Sequence, residues 1–140
     1  MVRTNNTNSY ISAVKHFATH PDDKEKPNSN RYILGKDYYQ RAIVDINHRV
    51  TAPEFFWFSD DIEWVKKNFG NVANFHFVSL STKHPDIDEM MLMSECKNII
   101  TANSTFSWWE AWMKKHEGII ICPARRYGNI EMIPGTWEKM

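Results

Sequence analysis

Cysteine is scarce in this sequence, and neither sign of charge is in excess. The 140 residues include two cysteines, 17 basic residues and 17 acidic residues, so the formal net charge is zero. Small secreted domains usually build disulfide frameworks from four or more cysteines, so we interpret Cys96 and Cys122 as buried thiols in a reducing compartment. The balanced charge gives no electrostatic reason to expect nucleic acid as a partner.

Long apolar runs are absent as well, and the N-terminus lacks the features of a signal peptide. Because a membrane-spanning helix needs about 20 apolar residues, we expect a cytoplasmic protein that is at most peripheral to the inner membrane. The length suits a single domain over residues 1–140. Aromatic residues, in contrast, are abundant, and we expect most of the six tryptophans to pack in the core.

Apolar segments with strand and helix patterns alternate from about Tyr32 onward. Predicted strands cover residues 55–58, 75–80, 98–102 and 118–122. The first predicted helix begins at a cap at Asp37, and three further helices cover residues 60–69, 86–96 and 106–116. Strands that are apolar on both faces indicate a parallel sheet with helices on both faces, a Rossmann-like α/β fold. Residues 15–31 contain prolines and charges with little periodicity, which predicts a mobile surface loop.

The most informative segment joins the predicted strand at 98–102 to the helix that follows it. Small hydroxyl residues fill this turn, which reads Asn-Ser-Thr-Phe-Ser at 103–107. The first amides of a helix have no intrahelical acceptor, and the helix dipole favours negative charge there, so the segment is suited to a phosphate. The alternative is ordinary capping, with Ser107 and Glu110 forming a capping box.

Several motifs, in one order, carry a resemblance to a known family. The sequence Asn-Ser-Thr-Phe-Ser-Trp-Trp-Glu-Ala-Trp at 103–112 resembles the signature of the α-1,2-fucosyltransferases of glycosyltransferase family 11. Phe-Phe-Trp-Phe-Ser-Asp-Asp-Ile-Glu-Trp-Val at 55–65 and Asp-Tyr-Tyr-Gln-Arg-Ala-Ile at 37–43 resemble two further blocks of that family. The resemblance implies the C-terminal, donor-binding half of a GT-B fold. It also implies inverting transfer of fucose from GDP-fucose to a glycan hydroxyl in an α-1,2 linkage, without a metal or another cofactor.

The same resemblance assigns roles to individual residues. The nucleotide-binding residues that it implies are Asp60, Asp61, Asn103, Ser104, Thr105, Phe106 and Ser107. A carboxylate at Asp60 can accept two hydrogen bonds from guanine that adenine cannot offer, and the alternative is that Asp60 caps the following helix with Glu63. Arg3 matches the family arginine that contacts the donor diphosphate, so we expect a catalytic role for it. Met1, Thr4 and Asn6 depart from the pattern around that arginine, and the alternative is a solvated terminal side chain.

One acidic motif in this sequence has two interpretations. Asp86-Ile87-Asp88 matches the Asp-x-Asp motif of metal-dependent glycosyltransferases, but Asp86-x-x-Glu89 is also a capping pattern, which we favour.

Glu110 stands where the family usually has glycine, on one helical stripe with Ser107 and Lys114. We therefore expect weaker donor binding in this chain than in its Glu110→Gly variant, and equal affinities would contradict this idea.

The length leaves two kinds of function open. Family members carry a second, N-terminal domain, of which this chain has almost nothing, so it is an excised domain, a truncated gene product or a relict. The first expectation is the donor-binding domain of a fucosyltransferase, with a nucleotide sugar and a glycan acceptor as substrates. Its missing domain would come from elsewhere, or from an oligomer partner. The alternative is a non-catalytic nucleotide-sugar-binding or interaction module.

Overall fold

The computed structural model describes residues 10–15, 34–124 and 133–140. The six strands are β1 (Tyr10–Lys15), β2 (Glu54–Ser59), β3 (Phe75–Phe77), β4 (Asn98–Ile100), β5 (Ile120–Cys122) and β6 (Glu138–Lys139). The four helices are α1 (Lys36–Arg49), α2 (Ile62–Phe69), α3 (Pro85–Ser94) and α4 (Thr105–Trp112). None of these helices is long and apolar enough to cross a membrane.

The strands form one sheet in the order β3-β2-β1-β4-β5-β6. Every pairing in it is parallel. This is the strand order of the Rossmann fold, so the predicted α/β class is confirmed. After β1 the chain adds strands in one direction, and from β4 it adds them in the other. The carboxyl ends of β1 and β4 therefore border the switch point, where ligands bind in such sheets.

Helices cover both faces of the sheet, as predicted. Right-handed crossovers place α1 and α2 on one face and α3 and α4 on the other. Alternate residues of β2 show the two layers: Phe55 and Trp57 pack in a cluster with α1 and α2, whereas Phe58 packs in a cluster with Met93 of α3. The apolar character of β2 on both sides is thus explained by burial between two helical layers.

Two strands were not predicted from the sequence. β1 occupies the centre of the sheet, between β2 and β4, yet its sequence Tyr-Ile-Ser-Ala-Val-Lys is not a continuous apolar run. Lys15 is the last residue of β1, so its inclusion in the predicted loop was wrong, and residues 16–31 of that loop lie outside the described residues. β6 has only two residues, both exposed, and depends on pairing with β5.

Most of the predicted elements are shorter in the structure. The prediction of residues 75–80 as a strand was too long, because β3 ends at Phe77. α4 likewise ends at Trp112 instead of residue 116. Lys114 lies beyond this end and donates a hydrogen bond from Nζ to the Lys97 carbonyl at 2.9 Å.

The C-terminal segment packs back on the domain, as predicted for Trp137. Its side chain is buried, and its ring centroid lies 5.9 Å from that of Trp108. The guanidinium of Arg49, at the end of α1, donates two hydrogen bonds to the Glu138 carboxylate, at 2.6 and 2.7 Å. These contacts fix β6 at the edge of the sheet.

Gly118 lies where two chain segments approach closely, which leads to a stability prediction. A Cβ atom at this position would lie 2.2 Å from the Lys97 carbonyl oxygen and 2.9 Å from Asn98 Oδ1, the acceptor for the Ile119 amide. We expect Gly118→Ala to lower the free energy of unfolding by about 1–3 kcal/mol, because the backbone must move apart. Urea denaturation would measure the loss. Gly135→Ala is the matched control, since a Cβ atom there meets nothing within 4 Å. Equal midpoints for the two variants would contradict the prediction.

Candidate functional site

Two adjacent aspartates follow β2, and the structure gives them different positions. Asp61 caps α2, because its Oδ1 accepts a hydrogen bond from the Trp64 amide at 3.0 Å. The alternative in which Asp60 caps this helix was therefore wrong, and so was the predicted helix start at residue 60. Asp60 instead holds its carboxylate exposed at the carboxyl end of β2. Burial, together with the nearby Asp60 charge, raises the pKa of Tyr39 well above its usual value.

A short turn, residues 101–104, connects β4 to α4. Ser104 is the N-cap of α4, and its Oγ accepts a hydrogen bond from the Ser107 amide at 3.2 Å. The predicted capping box of Ser107 and Glu110 was wrong, because Ser107 is the third helical residue and Glu110 lies inside the helix. Both of those side chains are completely buried.

The predicted phosphate-binding residues differ in how far they reach the surface. Thr105 is exposed, Asn103, Ser104 and Phe106 are half-buried, and Ser107 is inaccessible. The α4 N-terminus therefore presents the turn and its first helical residue to solvent. The Ser107 hydroxyl does not belong to this surface.

Asp60 and the 101–104 turn lie at one edge of the sheet. Trp57 of β2 and Ile100 of β4 both pair with Ala13 of β1, so the two strands are aligned with β1 between them and lie roughly 10 Å apart. Asp60 directly follows the end of β2, and the 101–104 turn directly follows the end of β4. The structure thus brings together two of the three sets of residues that the sequence nominated. Arg3, the third, lies outside the described residues, and its catalytic role stays a prediction.

The Asp-x-Asp sequence lies at the start of α3. α3 begins at Pro85, and His84 is its N-cap without a side-chain hydrogen bond, so the interpretation of Asp86 as a cap was wrong. Asp86 and Asp88 instead lie in the first turn, where negative charge suits the helix dipole. Burial and the Asp86 charge raise the pKa of Glu89. Within the described ranges, no three His, Cys, Asp or Glu side chains are grouped to hold a metal ion.

Glu110 faces the interior between α4 and the end of α3. Burial, followed by the Glu110 charge, raises the pKa of the Cys96 thiol to about 12. Cys96 and Cys122 are both buried free thiols, as predicted. Lys114 donates to the Lys97 carbonyl, and burial lowers its pKa. The effect of Glu110→Gly on donor affinity stays a prediction, and Glu110→Gln is its matched variant, because it removes the charge without leaving a cavity.

Comparisons with known proteins show the family of this chain. A family model described as glycosyl transferase family 11 matches residues 25–132. The chain belongs to glycosyl transferase family 11. It is 37% identical over 103 residues to the O-antigen biosynthesis glycosyltransferase WbnK of Escherichia coli, an alignment that covers 72% of this chain and 34% of that protein. It is also 43% identical over 113 residues to an alpha-1,2-colitosyltransferase of Escherichia coli, with 74% of this chain and 38% of that protein covered.

This family 11 chain spans about a third of the length of the curated relatives that it matches.

Sequence reasoning missed one residue near the site. Tyr38 of α1 donates a hydrogen bond from its hydroxyl to the Thr101 carbonyl at 2.8 Å, across 63 positions of the chain. The only sequence signal for it was its position in the family block at 37–43, since no local pattern reports a contact over that separation.

Proposed function

We propose that this chain is the donor-binding domain of an enzyme that transfers fucose from GDP-fucose to a glycan hydroxyl, with inversion, in an α-1,2 linkage and without a metal. Membership of glycosyl transferase family 11 supports glycosyl transfer as the reaction class. The observation that carries the proposal is that Asp60 and the 101–104 turn follow the carboxyl ends of β2 and β4, the two strands that flank β1. A nucleotide that lies across the end of β1 would contact both.

Asp60 would recognise the base. Its carboxylate is exposed, and Asp61 has the capping role next to it. The two oxygens of a carboxylate accept hydrogen bonds from the N1–H and exocyclic amine of guanine, whereas adenine has no such pair of donors on that edge. A hydrogen bond to a charged group contributes about 1.5–3 kcal/mol, so the pair gives a marked preference for guanine.

The N-terminus of α4 would bind the diphosphate. The amides at the start of a helix and its dipole both favour an anion, and the half-buried Ser104 and exposed Thr105 leave this end open. In the transfer, the bond between C1 of fucose and the diphosphate oxygen breaks, and its electron pair leaves with GDP. The acceptor oxygen forms the new bond to C1 from the opposite side, and its proton passes to a base. Charge that develops on GDP is stabilised by the helix amides and, by resemblance, by Arg3.

The acceptor site would require further polypeptide. The chain spans about a third of the length of its relatives, which supports a separate domain or an oligomer partner that completes the cleft. Large apolar side chains on α3 and α4 that are between 42% and 61% exposed provide a surface for such a partner; they are Ile87, Met91, Leu92, Trp109, Trp112 and Met113. The alternative is a non-catalytic nucleotide-sugar-binding or interaction module.

A second candidate is the transfer of colitose. The observation that favours it is the 43% identity to a relative named as an alpha-1,2-colitosyltransferase. Asp60 and the 101–104 turn would have the same roles, because both act on the nucleotide and not on the sugar. Tighter binding of nucleotide-activated colitose than of GDP-fucose would favour this candidate.

Calorimetric titration of the chain with GDP, and with ADP as the control, tests the proposal. We expect saturable binding of GDP and much weaker binding of ADP. A further titration with GDP-fucose would measure the contribution of the sugar. The absence of binding at millimolar GDP would overturn the proposed donor site in this chain.

A further inference from the structure

We infer that Tyr38 and Ser107 are positioning residues for the donor diphosphate, and that neither is a ligand. Their buried hydroxyls hold the carbonyl groups of the 101–104 turn against the protein. The amides of the turn and the first residues of α4 are thereby left to face the anion. This inference rests on the proposed function, and it revises the nomination of Ser107 as a nucleotide-binding residue.

Tyr38 acts from the opposite face of the sheet. Its side chain is 3% exposed, and its hydroxyl lies 2.8 Å from the Thr101 carbonyl and 3.4 Å from the Ile121 carbonyl. The Thr101 amide in turn donates to the Ile121 carbonyl at 2.9 Å. Tyr38 therefore ties α1 to the ends of β4 and β5 at the residue where the turn begins. A residue in this position cannot reach a ligand, but it fixes the direction in which the chain leaves β4.

Ser107 holds the rest of the turn from inside α4. Its hydroxyl has no exposure and lies 2.9 Å from the Ala102 carbonyl and 3.1 Å from the Ser104 carbonyl. The Ser104 hydroxyl donates to the Ser107 hydroxyl at 3.1 Å and accepts from the Ser107 amide. The two serines form a hydrogen-bonded pair that joins Ser104, the last residue of the turn, to the first turn of α4.

The consequence for anion binding follows from the dipole of the peptide group. A carbonyl oxygen that points at a phosphate repels it, and an amide N–H attracts it. The Tyr38 hydroxyl holds the Thr101 carbonyl, and the Ser107 hydroxyl shares its one proton between the Ala102 and Ser104 carbonyls. The Ser104 carbonyl also accepts from the Trp108 amide at 3.2 Å. These oxygens are thus directed away from the open end of α4. Loss of either hydroxyl would release a carbonyl to rotate towards the anion.

The test compares three ligands that divide the proposed site. Pyrophosphate probes the turn, guanosine probes the base site at Asp60, and GDP probes both. Titrations followed by NMR, with the amide signals of residues 103–106 as the local readout, would use Tyr38→Phe and Ser107→Ala. The matched control is Ser94→Ala. Ser94 is another buried serine whose hydroxyl donates to a helix carbonyl, that of Met91 at 2.8 Å, but it lies at the far end of α3.

We expect each of the two site variants to bind pyrophosphate and GDP about 3- to 10-fold more weakly, the effect of one lost hydrogen bond. Guanosine affinity should be unchanged, and Ser94→Ala should bind all three ligands as the wild type does. Wild-type affinity for pyrophosphate in both variants would overturn the inference. Weakening by Ser107→Ala alone would also overturn it, because Ser107 would then act as a ligand.

The remaining outcomes separate this inference from the proposed function. An equal loss of guanosine and pyrophosphate affinity would mean general loosening of the domain, and would overturn the positioning role. A wild-type chain that binds pyrophosphate but neither GDP nor guanosine would overturn the guanine-nucleotide function. In that case the two variants would still test the positioning role. A wild-type chain that binds none of the three ligands would overturn both.

Discussion

Asp60→Ala is expected to abolish the preference of this chain for GDP over ADP. The carboxylate is exposed at the carboxyl end of β2, and the neighbouring Asp61 is engaged as the cap of α2. Two hydrogen bonds from guanine to a charged acceptor would be lost, and partial solvent exposure reduces their combined effect to about 10- to 100-fold in GDP affinity. ADP affinity should not change, since adenine does not use the carboxylate. Calorimetric titration of both variants with both nucleotides measures the ratio.

A control for Asp60 must remove a nearby carboxylate without touching the switch point. Glu63 meets this need, because it is an exposed residue in the first turn of α2 whose carboxylate pairs with Lys66 at 2.8 Å. Glu63→Ala should keep the selectivity of the wild type. If Asp60→Ala retained the same GDP to ADP ratio as Glu63→Ala, base recognition by Asp60 would be wrong. The phosphate part of the proposal would then have to stand alone.

The second large effect is on stability and concerns Trp57. This side chain has no exposure and stacks on Phe69 with ring centroids 4.7 Å apart, while Tyr39 and Phe75 each lie 5.7 Å away. We expect Trp57→Ala to lower the free energy of unfolding by about 3–5 kcal/mol, because it leaves a large cavity between the sheet and two helices. That is a large part of the 5–15 kcal/mol that stabilises a typical domain. Urea denaturation would measure it.

Trp112 provides the matched control for Trp57. It is the same residue type on α4, but it is 58% exposed and stacks on Trp108, with ring centroids 5.2 Å apart. Trp112→Ala should change the free energy of unfolding by less than about 1 kcal/mol. Similar losses for the two variants would contradict the described burial. Trp57→Phe is expected to lie between them, since the Trp57 indole nitrogen has no hydrogen-bond partner within the described residues and its removal costs only packing.

The predictions that succeeded depended on local pattern or on family resemblance. β2 was predicted within one residue at each end, because Phe55 to Phe58 form an uninterrupted apolar run. α1 was predicted from its periodic apolar side chains, and Ala42 and Ile46 are completely buried. The predicted cap at Asp37 was wrong, because the N-cap is Gly35 and Asp37 lies in the first turn. The expectation that polar residues at the ends of β2 and β4 share one edge of the sheet followed from the rule for parallel sheets, and the pairing of both strands with β1 agrees with it.

The predictions that failed concerned hydrogen bonds between a side chain and a particular backbone group. Asp60 and Asp61 are the same residue type and precede the same helix, so the sequence does not distinguish them as N-caps. Asp61 is the N-cap of α2 because of the path that the chain takes out of β2. Ser104 and Ser107 are likewise both capping residues by type. The helix starts at Thr105, so Ser104 is the cap and Ser107 is a buried residue of the first turn.

By itself, the sequence determined the order of the elements from α1 to β5, the parallel α/β class and the family. Apolar periodicity and short motifs are local properties, so they can be recognised without knowledge of distant contacts. Only the tertiary structure decided that β1 lies at the centre of the sheet, that Asp60 and not Asp61 stays exposed, and that Ser107 points inward. It also revealed the bond from Tyr38 to Thr101, two residues 63 positions apart. The physical reason is that strand pairing, burial and long-range hydrogen bonds depend on which segments meet in space. No window of the sequence contains both partners of such a contact.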